Sequence, residues 1–124
     1  MSVKTLTVIA AGGALGAAAR YGLAVAWPAP VGGFPWAIFV VNVSGCLLIG
    51  VLMALRPKPL LRHFLGTGVL GGYTTFSAYT LDFQQLVAAG RAGMAVAYLG
   101  GTLVAALIAV HIGFTVRRWR WRWR

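Results

Sequence analysis

Gly71-Gly72-Tyr73-Thr74-Thr75-Phe76-Ser77-Ala78-Tyr79 lies inside an apolar run long enough to cross a bilayer, yet it is built from residues that weaken a helix. Two adjacent glycines followed by two threonines lower helix propensity, and a helix that lapses there frees backbone carbonyls. Unpaired backbone at bilayer depth survives only where it is buried in protein or lines a polar cavity. The stretch therefore reads as a deliberate break in a membrane-spanning helix, at a place where an ion is handled.

The rest of the chain supports a membrane setting. Its 124 residues leave room for one domain, and 60% of them are hydrophobic against 10% charged, with a mean hydropathy of +0.82. Net charge is +10, and Asp82 is the single acidic residue. In a soluble protein that balance would suggest nucleic-acid binding, but the groove-reading motifs are absent and no nucleic-acid partner is expected. Here the basic residues fall between and after apolar segments, where they read as anchors beside anionic membrane lipids. The lone Cys46 excludes an internal disulfide and has no zinc-site spacing. The first apolar segment is too long for the core of a cleaved signal peptide and leads into further spans.

These features predict an all-α integral membrane protein, a single four-helix domain over residues 1–124. Expected spans are about 6–26, 35–55, 64–89 with a break near 71–75, and 92–116, followed by a basic Trp/Arg tail at 117–124. In the first span Gly12 and Gly16 have the small-xxx-small spacing that permits close helix approach. Arg20 lies within the same span; it either snorkels to the interface or sits in an aqueous vestibule that attracts anions. A Pro/Gly-rich connector between Trp27 and Trp36 carries no charge, and the two indoles suit the interfacial belt. The second span has no charge but contains Asn42 and Ser44. The Asn42 amide has three uses open to it: bonding a neighbouring helix, donating to an anion, or reaching the broken backbone.

Beyond the break, Phe76 and Tyr79 are three residues apart, which places both rings on one helical face with Asp82 one turn further along. Tyr98 and Thr102, at i,i+4 spacing, form a short polar stripe on the fourth span. His111 reads as interfacial. Four spans put both termini and the middle loop on one side of the membrane. That side holds nine basic residues (Lys4, Arg56, Lys58, Arg62 and five tail arginines) against Arg91 alone on the other. The positive-inside rule then places both termini in the cytoplasm.

Enzymes and proton-coupled transporters need titratable groups, and this chain has one carboxylate, two histidines and no glutamate. No nucleophile–base pair or metal-ligand cluster stands out, so no catalytic role is expected. A small four-helix multidrug or cation exporter is the alternative at this chain length. Such exporters depend on a glutamate embedded in the first span, and that position class is empty here. What remains is a set of neutral donors, aromatic edges and one membrane arginine, which suits passage of a small anion.

Three segments carry a family resemblance: Gly12-Gly13-Ala14-Leu15-Gly16-Ala17-Ala18-Ala19-Arg20-Tyr21, Asn42-Val43-Ser44-Gly45, and Gly71-Gly72-Tyr73-Thr74-Thr75-Phe76-Ser77. In order, spacing and four-span length the chain resembles the Fluc (CrcB) fluoride channels of bacterial plasma membranes. The third segment is the specific one. The resemblance implies an antiparallel dimer with two fluoride pores and a structural sodium ion at its centre. It assigns the sodium to the backbone carbonyls of Gly71 and Thr74, which is the ligand type a hard cation favours. It assigns the fluoride path to Asn42, Phe76, Ser77, Tyr79, Tyr98 and Thr102, and the vestibule to Arg20. The implied role is passive export of cytoplasmic fluoride.

The family pattern is not matched everywhere. Ile38 stands where a threonine is usual, Tyr79 where a second phenylalanine is usual, and Ala106 where a hydroxyl is common. A homodimer whose subunits insert in both directions needs a nearly balanced chain, and this one is biased nine to one. Some members of the family form heterodimers of oppositely oriented paralogs. The expected assembly is therefore a homodimer or, on the charge bias, a heterodimer with a partner of reversed bias.

Overall fold

The computed structural model describes the backbone of residues 1–122 and the side chains of residues 1–116. The side chains of the Trp/Arg tail, expected to anchor among lipid headgroups, lie outside the described residues.

Each helix starts and stops where the local chemistry directs. Helix α1 (Val3–Ala26) is capped by Ser2, whose Oγ accepts the Thr5 N–H at 3.2 Å, and it ends at Trp27 just before Pro28. Helix α2 (Trp36–Leu55) begins after Pro35 and ends at Arg56, which adopts the left-handed conformation (φ 49°) ahead of Pro57. Pro59 opens α3 (Pro59–Arg62), which continues as a π-helix (His63–Leu70) and a single turn, α4 (Gly71–Tyr73). After a gap at Thr74–Phe76 the chain resumes as α5 (Ser77–Ala88), turns at Gly90 (φ 76°), and returns along α6 (Ala92–Arg122).

Among the described residues, three helical stretches are long and apolar enough to cross a membrane: Val3–Ala26, Trp36–Leu55 and Ala92–Val116. The fourth passage is composite, made of the α3–π–α4 rod and α5. Its interruption falls at Thr74–Phe76, not at the glycines, which remain helical in α4. The glycines serve a different purpose, described next.

Packing is organised as two close pairs, α1 against the π-helix and α4, and α2 against α6, with α5 lying on α6. Both pairs meet backbone to backbone. A Cβ on Gly16 would overlap the Val69 carbonyl oxygen, and one on Gly72 would overlap that of Gly13. A Cβ on Gly68 would stand 2.9 Å from the Ile9 oxygen. On the other pair, Gly50 faces the Val110 carbonyl and Gly113 faces that of Leu47. Between helices in lipid there is little hydrophobic driving force, so close van der Waals approach of this kind carries the association. Between α2, α5 and α6, Ile38, Tyr79, Leu86, Ala95 and Tyr98 form a buried core.

Gly16→Ala is expected to lower stability by about 1–3 kcal/mol through overpacking against Val69. Gly22→Ala on the same helix meets nothing within 4 Å and is expected to leave stability unchanged or slightly raised. Thermal unfolding of the two variants in one detergent checks the contrast.

Candidate functional site

The break is held open by α2. Thr75 would, in a continued helix, send its N–H to the Gly71 carbonyl. It donates instead to Oδ1 of Asn42 at 2.9 Å, while Nδ2 of Asn42 donates to the Thr75 carbonyl at 3.0 Å. One side-chain amide thus satisfies both backbone groups of the residue at the centre of the gap. Of the three uses open to Asn42, the structure adopts the third. One N–H of its amide is left for another acceptor.

The other backbone groups of the gap follow. Thr74 still donates to Leu70 (3.0 Å) but then turns extended, with ψ 153°. Ala78, whose helical acceptor would be the Thr74 carbonyl, donates to Oγ1 of Thr75 at 3.2 Å, which caps the first turn of α5. Arg20 reaches from α1, its Nε 3.3 Å from the Gly72 carbonyl. Half-buried Arg20 therefore has a backbone partner at the break. The carbonyls of Gly71 and Thr74 are left without their helical donors. Both residues lie in the wall of a cavity beside the break, so oxygen ligands for a hard cation are available there.

That cavity, about 450 Å³, runs between α2, the α4 turn and α6. Asn42, Thr74, Thr75, Phe76, Tyr79 and Thr102 contribute to its wall, together with small and aliphatic residues and Cys46, and no charged side chain lines it. Phe76 is 77% exposed on the single chain, with its ring centroid 6.0 Å from that of Tyr79. Tyr79 is buried and meets the Tyr98 ring at a tilt, with centroids 5.2 Å apart, and Tyr98 in turn meets Phe34 edge-on at 5.3 Å. A ladder of aromatic rings therefore leads from the break to the connector ahead of α2. Thr102 is buried, and its Oγ1 is without a hydrogen-bond partner. A buried hydroxyl in that state is unusual, and the residue that carries it is one of those lining the cavity.

Not every expected residue converges on this space. Ser77 is exposed at the start of α5, bonded to Thr75 through the two hydroxyls at 3.3 Å, and is not in the cavity wall. Tyr98 is fully buried one turn from Thr102, and its hydroxyl donates to Asp82 at 3.3 Å. The three departures from the family pattern also have places. Ile38 packs in the core, Ala106 lines the cavity, and the Tyr79 hydroxyl donates to the Leu99 carbonyl.

Sequence reasoning missed Thr75 as the residue that Asn42 grips, Phe34 as a rung of the ladder, and a bond between Ser44 and Tyr73 (2.9 Å). The adjacency of Phe34 to Pro35 at the mouth of α2 was the available signal for the second. The other two are tertiary contacts with no local signature.

Asn42→Asp keeps the acceptor for the Thr75 N–H but sets an oxygen against the Thr75 carbonyl. It is expected to destabilise the fold by about 1–3 kcal/mol, more than Asn42→Ala if the carboxylate stays charged. Unfolding midpoints of both variants check this.

Comparison with known proteins adds an independent line. Residues 7–114 match the family model described as CrcB-like protein, Camphor Resistance (CrcB). The chain is 49% identical to a protein of Streptomyces coelicolor named fluoride-specific ion channel FluC 1, over 96% of this chain and 80% of that one. It is 49% identical to fluoride-specific ion channel FluC 2 of Nocardia farcinica, over 92% and 85%. It is 45% identical to fluoride-specific ion channel FluC of Paracoccus denitrificans, over 92% and 94%.

Proposed function

The chain belongs to the CrcB family, and we propose that it is a subunit of a fluoride-specific ion channel that passively lowers cytoplasmic fluoride. The observation that carries the reading is the uncharged cavity beside the break, walled in part by Asn42, Phe76, Tyr79 and Thr102. A small anion that sheds water needs replacement donors at close range, and neutral O–H, N–H and ring-edge hydrogens supply them without trapping it. A cationic wall would hold the anion instead of passing it. Arg20, outside the cavity wall, suits recruitment at a vestibule. The exposed Phe76 and Ser77 suit completion of the path by a second subunit.

Sodium fits the donor set at the break. Hard cations take oxygen ligands, and the carbonyls of Gly71 and Thr74 have lost their helical donors. When bound, the ion would supply a fixed positive charge and tie together the breaks of two antiparallel subunits. Of the other carbonyls in the break, that of Gly72 is engaged by Arg20 and that of Thr75 by Asn42, while that of Tyr73 has likewise lost its helical donor.

In the plasma membrane of a bacterium this channel needs no energy source of its own. Hydrogen fluoride enters, dissociates in the less acidic cytoplasm, and the inside-negative potential drives the anion out. With nine basic residues on the side of the termini and Arg91 on the other, the termini are assigned to the cytoplasm. The same bias favours pairing with an oppositely oriented paralog over a homodimer.

Fluoride efflux from liposomes, with and without a co-expressed paralog, tests the function; efflux by neither preparation would overturn it. Phe76→Ala is expected to cut efflux roughly tenfold or more. Thr102→Val separates transport from folding. It removes a hydroxyl that has no partner, so efflux should fall while the melting temperature stays level or rises. For the cation, Gly71→Val is expected to abolish the dependence of dimer stability on sodium, measured by cross-linking or sedimentation in sodium against potassium.

A further inference from the structure

The grip of α2 on the break has a second point of contact. Ser44, two residues beyond Asn42, has its Oγ 2.9 Å from the hydroxyl of Tyr73, the last helical residue before the gap. The direction of that bond can be deduced. Ser44 Oγ also lies 3.2 Å from the Val41 carbonyl, which can only accept. Ser44 has one hydroxyl proton, and Val41 takes it, so Tyr73 is the donor to Ser44. Beside it, buried Gly45 makes a dent in α2. The Tyr73 ring lies over this dent, with Cδ1 3.3 Å from where a Cβ would stand, and the Thr74 methyl fills the remainder.

The turn that leads into the gap is Gly71-Gly72-Tyr73, and Tyr73 has its only side chain. On the side of α1 the turn is held through backbone, by Gly13 against Gly72 and by Arg20 on the Gly72 carbonyl. On the side of α2 only the Tyr73 side chain can hold it. Asn42 grips Thr75, which lies beyond the turn, and neither of its hydrogen bonds reaches the turn itself. The rotational setting of α4 decides where the Gly71 carbonyl aims, and it also sets the start of the extended Thr74.

We propose that Ser44 is a positioning residue for the cation site: by accepting the Tyr73 hydroxyl it fixes the setting of the Gly71–Tyr73 turn, and with it the aim of the Gly71 and Thr74 carbonyls. This rests on the sodium reading above. The deduced direction of the bond gives the proposal an asymmetric signature. Ser44→Ala strands a donor, the Tyr73 O–H, against apolar surroundings, and the ring must move to satisfy it. Tyr73→Phe strands only an acceptor, because the Ser44 proton keeps its partner in Val41. Ser44→Ala therefore loses more than Tyr73→Phe, in which the Ser44 hydroxyl still has a partner.

The test is a sodium titration of thermal stability on the full chain in detergent, with potassium replacing sodium at constant ionic strength. Ser44→Ala is expected to raise the half-saturating sodium concentration roughly tenfold and Tyr73→Phe roughly threefold. Ser44→Thr, which restores the acceptor, should return it to near the wild-type value, and the double variant should match Tyr73→Phe alone. Thr115→Ala serves as control: it removes a hydroxyl bond to Ile112 (3.0 Å) far from the break and should leave the sodium dependence unmoved. A wild type that depends on sodium, with Ser44→Ala unshifted or shifted no more than Thr115→Ala, overturns the positioning role alone. A wild type indifferent to sodium overturns the cation reading and the positioning role together. Should Ser44→Ala fail to fold, Tyr73→Phe decides, and an unshifted sodium midpoint in that variant overturns the proposal.

Discussion

The two hydrogen bonds between the Asn42 amide and the Thr75 backbone are the constraint on which the rest of the site depends. A gap in a helix at bilayer depth leaves polar groups with no water to satisfy them, at a cost of several kcal/mol each. An amide side chain is the one uncharged group that presents an acceptor and a donor side by side, matched to a peptide's N–H and C=O. With Thr75 satisfied from α2 at 2.9 and 3.0 Å, the chain can leave the helix at Thr74 and re-enter it at Ser77. Thr75 contributes to the re-entry itself, because its Oγ1 caps Ala78. The break is thus a small structured element in which the Gly72 and Thr75 carbonyls are engaged by side chains while those of Gly71, Tyr73 and Thr74 lack their helical donors.

That element needs rigid neighbours, and the glycines supply them. Gly12, Gly16, Gly68 and Gly72 bring α1 and the rod before the break into backbone contact, while Gly50 and Gly113 do the same for α2 and α6. Contacts between backbones have no rotamers to relax, so each pair behaves as a stiff unit. The cavity lies between the pairs, and in its wall Gly45 makes room for the Thr74 methyl and the Tyr73 ring.

The four-passage architecture was legible because composition and charge placement decide it: apolar runs of span length separated by Pro, Gly and basic residues admit few other readings. The broken third passage was legible as well, and the expected break near 71–75 overlaps the observed gap at 74–76. The two glycines stay helical, and at Gly72 the cost as a helix residue, about 1 kcal/mol, is outweighed by the close approach to Gly13 of α1. The true gap depends on Asn42, more than thirty residues away, and on a tertiary hydrogen bond that no local preference encodes. The same holds for Arg20. Its partner is the backbone oxygen of Gly72, and a carbonyl leaves no trace in the residue types nearby. Tyr98 and Thr102 were legible as a stripe through their spacing, whereas the rotation of Ser77 away from the cavity follows from the geometry of re-entry into α5.

The departures from the family pattern differ in consequence once their surroundings are known. A tyrosine at position 79 need not obstruct a path lined by ring edges, because its hydroxyl is taken up by the Leu99 carbonyl and the ring remains in the cavity wall. Ile38 is absorbed too, packed in the core beside Tyr79 and Tyr98. Ala106 is the one that changes the chemistry of the cavity. It puts a methyl in the wall one turn beyond Thr102, where a hydroxyl would have added a donor. Two departures are therefore accommodations of packing and one is a loss of polarity. On the proposed dimer, where each path draws on both subunits, a partner bearing a hydroxyl at the corresponding position would restore what Ala106 lacks. This is the complementarity that an unequal pair of subunits can have and an identical pair cannot.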